Sequence, residues 1–386
     1  MRKWEIVEEL RHDNSKKGDI CHQSKPANAQ LQVGLLPNPV VGYSGQRLGS
    51  HGQAEQQGVY VGQEFVMGRI LRLNREAAAW EVQRAKRELG AMRLRVLSDT
   101  RIAFYEVLIA QRRKELAGKL VKISDQGVEA AQALFRSEEV SEADPLRARV
   151  DAAQASILLQ TARNQHQEAW QRLSAIIGMP EWQMQQLSGD LNPSNLELTF
   201  DETLHHILSS NPEIAAAMAD VEAARWTLRR ARVKAIPNLD VQAVIQDDQG
   251  TGSTNGNLQV TLPIPIFNRN QGAIREAQTG IVGTRRAVDR LALDLQTRLA
   301  AAFQRYQTAN NQVQRYTEKD GILENPQKTL DLIRAGYRGE EFSLVDLLTA
   351  QRTNFQANLA YLDSLRELWV SAMEIKGLLL KNSLVK

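Results

Sequence analysis

Cysteine is almost absent from this 386-residue chain, which contains Cys21 alone. A single thiol excludes a disulfide framework and any metal or iron–sulfur site that needs several thiolates. Aromatic residues make up only 5% of the chain, so a large aromatic-rich globular core is not expected. Long apolar runs are also missing, since no stretch approaches the ~20 residues of a membrane-spanning helix. The sequence therefore excludes a helical membrane protein.

Neither sign of charge is in large excess, because 48 basic residues are balanced by 45 acidic ones. A net charge of +3 gives no reason to expect nucleic acid as a partner. No Ser/His/Asp or Cys/His constellation stands out, and no cluster has the spacing of metal ligands. The sequence therefore predicts no enzyme, and no catalytic, cofactor-binding or metal site.

The first 29 residues form a polar leader (1–29) that we expect to be disordered. The apolar run of about 7–15 residues that a secretory signal needs is not visible in it. Taken literally, this start indicates a cytoplasmic protein. A wrongly assigned start codon or a lost exporting segment is the alternative.

From residue 30 onward the chain repeats one plan of two strands, a long helix and a second helix. The first copy covers 30–187 and the second covers 236–386, with a connector and paired helices at 188–235. Aligning 136–146 on 338–348 at a constant offset of 202 gives six identities in eleven positions, against about one by chance. The pattern indicates an ancient duplication and not a solenoid of short repeats.

The long helices carry the heptad spacing of coiled coils. The first is predicted at about 70–135, which contains no proline. Its apolar seam consists of Ile102, Ile109, Leu116, Ile123 and Ala130. In the second copy we expect a helix at about 271–335, kinked at Pro326, and a last helix at about 343–380.

The strands of the second copy, predicted at Leu239–Gln246 and Leu258–Phe267, alternate apolar and polar residues. Their apolar, predicted lipid-facing side holds Leu239, Val241, Ile245, Leu258, Val260, Leu262, Ile264 and Ile266. Such alternation over about ten residues is typical of a transmembrane barrel, although an ordinary antiparallel sheet with one dry face is the alternative. Because even the smallest barrels use about eight strands, the barrel interpretation requires an oligomer.

This duplicated architecture resembles the outer-membrane efflux proteins of the TolC family over roughly residues 30–381. The resemblance is carried by the turn Leu36–Pro39, the segment Leu262–Phe267, and the helix turn with Tyr337, Gly339, Ser343, Asp346–Leu348 and Ala350–Thr353. It implies a mainly α fold with a small β part, in which long antiparallel coiled-coil helices and four strands per chain assemble into a trimeric α-barrel and β-barrel. In that pattern paired helices also precede Leu35, and residues 30–34 would be their remnant.

The resemblance implies an outer-membrane protein with a periplasmic extension that acts as a passive exit duct without cofactors. Its partners would be two further copies, outer-membrane lipid, a periplasmic adaptor and the inner-membrane transporter of a tripartite efflux pump. The strands most resemble the branch that works with heavy-metal cation exporters. A soluble coiled-coil scaffold or tethering protein is the alternative, which the literal N-terminus would favour.

By the same resemblance, the two helix-to-helix turns form the periplasmic aperture and the adaptor-docking site. The residues implied are Arg136, Ser137, Glu138, Glu139, Ser141, Asp144, Tyr337, Arg338, Gly339, Glu340, Glu341, Phe342, Ser343 and Asp346. The glutamates of both turns, repeated in three copies, would form a ring that favours cations. In the family a tyrosine, an arginine and an aspartate latch the closed state. Tyr337 and Asp346 match, whereas Phe342 stands at the arginine's place, so the ionic latch is either missing or moved to Arg338.

Overall fold

The chain is mainly helical with one small antiparallel sheet, as the sequence predicts. The computed structural model describes residues 25–48, 54–192, 197–250, 252–338 and 341–381. The strands are β1 (Val40–Leu48), β2 (Ala54–Phe65), β3 (Leu239–Asp248) and β4 (Ser253–Thr261). The helices are α1 (described over 25–32), α2 (Ile70–Arg136), α3 (Ala143–Ile177), α4 (Phe200–Ser210), α5 (Pro212–Val233), α6 (Gln271–Thr317), α7 (Glu324–Arg338) and α8 (Leu344–Lys376).

Helix α1 includes residues that the sequence assigned to a disordered leader. Residues 1–24 of that leader lie outside the described residues, but residues 25–29 are helical. Pro26 suits the first turn of a helix, and Ala27 and Ala29 favour its continuation. The disorder of residues 1–29 stays a prediction, and the structure gives residues 25–29 as helix.

Two compact units make up the chain, and each draws on both sequence repeats. The helical unit includes residues 91–211 and 293–381, and the sheet unit includes residues 25–90 and 212–292. Each repeat gives its hairpin to the sheet unit and a helix-to-helix turn to the helical unit. The predicted boundaries at 187 and 235 follow the repeats, so they do not coincide with the compact units.

The sheet has the strand order β1-β2-β3-β4, with every neighbouring pair antiparallel. The central pairing joins the two repeats, because β2 comes from the first copy and β3 from the second. Val59 lies opposite Ile245, and Val61 lies opposite Ala243. Since directly opposed residues share a face of the sheet, this register decides which side chains lie together.

Strand β4 is shifted from the predicted position, since it covers Ser253–Thr261 and not Leu258–Phe267. It begins earlier because residues assigned to a loop pair with β3, as Ser253 does with Asp248. It ends earlier because Pro263 and Pro265 have no N–H to donate to a neighbouring strand. Three residues assigned to the lipid-facing side of the strand therefore lie in a connector: Leu262, Ile264 and Ile266.

The long helix predicted at 271–335 is interrupted. Helix α6 ends at Thr317 and α7 begins at Glu324. Between them Asp320 adopts a left-handed conformation (φ 56°), and the N–H of Gly321 donates to the carbonyl oxygen of Glu318 at 2.9 Å. Pro326 lies in the first turn of α7, where a helix tolerates proline. The expected kink is therefore a complete break before the proline.

Small residues at heptad spacing form part of the core of the helical unit. Helix α2 buries Ala103, Ala110, Ala117, Ser124 and Ala131, and α3 buries Ala148, Ala155 and Ala162. Small side chains at a contact let helix axes approach closely. The predicted α2 seam lies one position away: Ile102 and Ile109 are buried, whereas Leu116, Ile123 and Ala130 are half-buried.

One buried carboxylate, Glu374 of α8, is held by two cations in the helical unit. Its side chain is 6% exposed and lies 2.8 Å from Arg305 Nη2 and 2.5 Å from Lys381 Nζ. Burial alone raises the pKa of Glu374, but the hydrogen bonds and charges of Lys381 and Arg305 outweigh burial and lower that pKa below its ordinary value. Arg305 also contacts Glu367 at 3.3 Å, a side chain that is 37% exposed.

We expect Glu374→Gln to lower the free energy of unfolding by about 1–3 kcal/mol, because two cations lose a charged partner at a buried site. Glu367→Gln is the matched control, since it removes an exposed contact of the same arginine and should cost less than about 1 kcal/mol. Because the folded-state pKa of Glu374 is lowered, its contribution is present above the unfolded-state pKa and is lost as pH falls through the folded-state value. Thermal unfolding in detergent at pH 7 and pH 3 measures both effects. Equal destabilisation by the two substitutions would contradict this assignment.

Candidate functional site

The first helix-to-helix turn closes with a backbone motif that usually requires glycine. The N–H of Glu138 donates to the carbonyl oxygen of Phe135 at 3.1 Å, and the N–H of Glu139 donates to that of Leu134 at 3.0 Å. This is the Schellman arrangement of a helix C-terminus, in which the residue after the cap is left-handed. Glu138 takes that position with φ 64°, so a non-glycine residue is held in a strained conformation.

The second turn repeats this closure at the offset of the duplication. The N–H of Glu341 donates to the carbonyl oxygen of Gly336 at 2.9 Å, which matches the bond from Glu139 to Leu134 shifted by 202 residues. The duplication is therefore visible in backbone hydrogen bonding as well as in sequence. Two predicted site residues, Gly339 and Glu340, lie outside the described residues, as does the side chain of Arg338.

The helices that follow the two turns begin differently. At α8, Ser343 Oγ accepts from the N–H of Asp346 at 3.2 Å, and the N–H of Ser343 donates to Asp346 Oδ2 at 3.0 Å. These reciprocal bonds form a capping box, and the bonds from Ser343 lower the pKa of Asp346. At α3, Ser141 Oγ accepts from the N–H of Ala143 at 3.2 Å, and the cap residue is Glu142. The shared Ser-x-x-Asp spacing of the two turns thus gives a capping box in the second alone.

Both turns are anchored on one apolar cluster. Its buried members are Ala131, Ala148, Leu330, Tyr337, Leu344, Leu347 and Ala350, which come from α2, α3, α7 and α8. The acidic side chains of Glu138, Glu139 and Glu341 are exposed above this cluster, and so is Arg136. The structure therefore brings the residues of the two turns together, with exposed charge over an apolar base.

Within the described residues, Tyr337 and Asp346, the two residues that match the predicted latch, make no hydrogen bond to each other. Tyr337 is 8% exposed, and its hydroxyl has no hydrogen-bond partner in the described part of the protein. Burial raises its pKa, and the charge of Asp144 adds to the rise. Asp346 is exposed and bound to Ser343 instead. The Phe342 ring covers Gly336, where a Cβ atom would collide with it, so an apolar contact occupies the arginine's place.

The sheet presents one continuous apolar face to its surroundings. Across the four strands, one row of opposed residues is Val41, Val61, Ala243 and Leu258, and the next is Tyr43, Val59, Ile245 and Gly256. Of the predicted lipid-facing residues in strands, Leu258 is 73% exposed, Ile245 63% and Val260 57%, whereas Leu239 and Val241 are half-buried. Sequence reasoning did not assign the first-copy members of this face, although the period of two in VVGYS and GVYVG marks them.

The opposite face of the sheet is polar and internally hydrogen-bonded. Gln246 Nε2 donates to Gln56 Oε1 at 3.2 Å, and Gln56 Nε2 donates to Asp248 Oδ2 at 3.0 Å. Gln246 and Asp248 are buried at 4% and 6% exposure. Within the described ranges, no group of three or more His, Cys, Asp or Glu side chains could hold a metal ion. In the same part of the chain, every helix is too short or too polar to cross a membrane.

The sheet thus has an exposed apolar face on one side and a hydrogen-bonded polar network on the other. Comparison with known proteins gives the class directly. Residues 29–179 and 203–379 match the outer membrane efflux protein family, and the chain belongs to that family. It is therefore an outer-membrane component of efflux and not an enzyme, as the sequence predicts.

Individual relatives agree with this membership. The cobalt-zinc-cadmium resistance protein CzcC of Cupriavidus metallidurans is 28% identical over 360 residues, which cover 90% of this chain and 82% of CzcC. The outer membrane protein VceC of Vibrio cholerae has the same fold, with a TM-score of 0.75 at 15% identity over 97% of this chain and 96% of VceC. The MtrE outer membrane channel of Neisseria gonorrhoeae gives 0.70 at 20% identity over 97% and 88%. Channels of this family work in tripartite pumps with an adaptor and an inner-membrane transporter, which favours the duct over the scaffold alternative.

We expect Glu138→Gly to raise the free energy of unfolding by about 1 kcal/mol, because glycine adopts the left-handed conformation without strain. Glu139→Gly is the matched control: Glu139 is the next residue and carries the same charge. It should be destabilising by about 0.5–1 kcal/mol, since glycine loses more backbone entropy on folding. Thermal unfolding of both variants in detergent measures the difference, and destabilisation by Glu138→Gly would contradict the assignment.

Proposed function

We propose that three copies of this chain form the outer-membrane exit duct of a pump for heavy-metal cations. The observation that carries the proposal is the exposed apolar face that runs in register across all four strands. A surface of that kind is stable in lipid and costly in water. The proposed cargo rests on the similarity to CzcC, which is named for cobalt, zinc and cadmium resistance.

The edges of the sheet support an oligomer, and the number of three copies rests on the resemblance to the TolC family. Within the described residues, strand β1 pairs only with β2 and β4 pairs only with β3, so the sheet has two edge strands. Lipid offers no hydrogen-bond partners for open strand edges, and a closed sheet removes them. Four strands are too few to enclose a channel. Three four-stranded sheets joined edge to edge would close one wall, with the apolar face outward and the polar glutamine face toward water.

The two helix-to-helix turns are the proposed periplasmic aperture and the surface that docks the adaptor. Their residues share one apolar cluster, and their glutamates are exposed. In a trimer the carboxylates of Glu138, Glu139, Glu340 and Glu341 would encircle the opening and attract cations. The protein performs no chemical step, so transport depends on aperture width, lining charge and contact with the pump.

Substitution on the two faces of one strand tests the membrane-facing assignment. We expect Leu258→Lys to reduce the trimer recovered from outer membranes by tenfold or more, because a lysine near the middle of the lipid-facing surface costs about 2–4 kcal/mol. Gln259→Lys on the opposite face is the matched control and should assemble normally. Heat-resistant trimer bands in detergent extracts, with flotation of the membranes, measure the yield. Equal yields from both variants, or a monomer that stays in the aqueous fraction, would refute the proposal.

Charge reversal tests the aperture. We expect Glu139→Lys combined with Glu341→Lys to lower the cation selectivity of single channels in planar bilayers, because positive side chains repel cations at the opening. The same variant should reduce the cobalt, zinc and cadmium tolerance of a strain whose only copy is this protein. Glu181→Lys, which reverses an exposed charge outside the two turns, is the control. Unchanged selectivity and unchanged tolerance would count against the aperture, while intact trimers would leave the duct itself in place.

A further inference from the structure

The connector between β4 and α6 breaks the symmetry of the duplication. In the first copy, four residues (66–69) join β2 to α2, and Arg69 before the helix is left-handed with φ 60°. In the second copy, nine residues (262–270) join β4 to α6, and Asn270 before the helix has φ 59°. The two connectors therefore end alike, but the second is five residues longer. The second connector begins with the apolar sequence Leu262–Phe267.

This segment, which we call the apolar connector (262–267), is highly exposed. Leu262 is 53% exposed, Ile264 76%, Ile266 60% and Phe267 90%. Other apolar residues next to the strands are exposed at the same end of the sheet: Leu36, Phe65, Met67 and Ile236. The register defines that end, since Phe65 lies opposite Leu239 and Thr261 opposite Asp240. Exposed apolar side chains thus continue along the chain beyond the last paired residues.

The apolar face of the paired strands is shorter than the apolar band of a membrane barrel, so further apolar surface is needed. The apolar face of β3 runs from Leu239 to Ile245, a rise of about 20 Å at ~3.4 Å per residue. At the ~40° tilt of strands in closed membrane sheets, that rise covers about 15 Å of bilayer, whereas the apolar band of such proteins is about 25 Å tall. The paired strands alone leave about 10 Å uncovered. The apolar connector follows directly at this end and is long enough to cover it.

The backbone of the apolar connector suits an apolar medium. Pro263 and Pro265 have no N–H, and the N–H of Ile266 donates to the carbonyl oxygen of Ile264 at 2.9 Å. Gln271 Nε2 donates to the carbonyl oxygen of Phe267 at 3.1 Å. Fewer N–H groups therefore need a partner that lipid cannot provide. The prolines also make this segment a poor template for strand pairing with a second copy.

A polar segment follows at once and is fixed to the sheet unit. Asn270 Nδ2 donates to the carbonyl oxygen of Ala231 in α5 at 2.7 Å, and the N–H of Asn270 donates to Asn268 Oδ1 at 3.0 Å. The change from Phe267 to Asn268 and Arg269 is therefore a boundary at a defined position. An aromatic ring next to amide and guanidinium groups matches the interface between acyl chains and headgroups.

We propose that the apolar connector lies in the periplasmic leaflet of the bilayer and completes the lipid-facing surface, with Phe267 at the headgroup boundary. The inference rests on the proposed function, because it takes the sheet to be inserted in the outer membrane. Its ligand is lipid, recognised through acyl-chain contact with Ile264, Ile266 and Phe267. The connector of the first copy is too short to do the same.

Fluorescence quenching in reconstituted vesicles tests the inference. In a Cys21→Ser background, an environment-sensitive fluorophore is attached to Phe267→Cys or Ile264→Cys in the full-length protein. Leu258→Cys on the sheet face is the lipid reference, and Glu181→Cys is the water reference. Phosphatidylcholine vesicles carry nitroxide lipids labelled either near the headgroup or deep in the acyl chain, and iodide probes access from water.

We expect headgroup-region nitroxides to quench the probes at 264 and 267 at least threefold more than the probe at 181, with little quenching by iodide. Quenching by iodide at the level of residue 181 would overturn the inference, as would shielding from both quenchers, which would indicate burial against a second copy. In either case quenching at 258 by deep nitroxides would leave the proposed function intact. If the probe at 258 also fails to respond to lipid nitroxides, the proposed function itself is wrong.

Discussion

The alternation of apolar and polar side chains, held in register across four strands, is the constraint on which the structure depends. A one-residue slip in any pairing would move a strand's apolar set to the polar face. The observed register avoids this, because Val41, Val61 and Leu258 lie in one row while Gln56, Gln246 and Asp248 lie on the other side. At roughly 25 cal/mol per Å² of apolar surface, leaving such a face in water would cost a large part of a protein's stability. The sheet is therefore consistent with lipid on one side and water on the other.

The duplication explains both what the two halves share and how they differ. In both halves the helix before the turn ends with the same hydrogen bond. The N–H of Glu139 or Glu341 donates to a carbonyl oxygen five positions earlier. The halves also share the left-handed residue before the helix that follows each hairpin, Arg69 and Asn270. Backbone geometry at the ends of elements is thus retained while the sequence between them has diverged. The differences concern side-chain caps and connector length, which change without altering the path of the chain.

Much of the fold could be predicted from local periodicity, because period two and period seven are direct consequences of strand and helix geometry. The apolar seam of α6 shows this: Leu299, Ala302, Tyr306, Ala309 and Val313 recur at spacings of three and four and are buried, whereas Tyr316 at the end of the same pattern is half-buried. The seam of α2 was placed one residue off. Its core includes alanine and serine at positions such as Ala117 and Ser124, whose small side chains give a weak apolar signal although they allow a close helix contact.

The end of β4 could not be predicted from alternation, since the apolar-polar pattern runs through Pro263 and Pro265 to Phe267. What ends the strand is the missing N–H of proline, a property of the backbone that a side-chain pattern does not represent. The break between α6 and α7 could not be predicted from periodicity either, because α6 ends at Thr317, several residues before Pro326.

The two turns show where sequence comparison within a family reaches its limit. Matching residue types predicts Tyr337 and Asp346 as parts of a latch. Within one chain, Asp346 is engaged by its own capping box and the Tyr337 hydroxyl is buried against an apolar cluster, so the latch stays a prediction. Phe342 stands where the family has arginine, and its ring packs on Gly336. The Phe342 ring thus lies beside the backbone closure from the N–H of Glu341 to Gly336, while the carboxylates of Glu138, Glu139 and Glu341 are exposed.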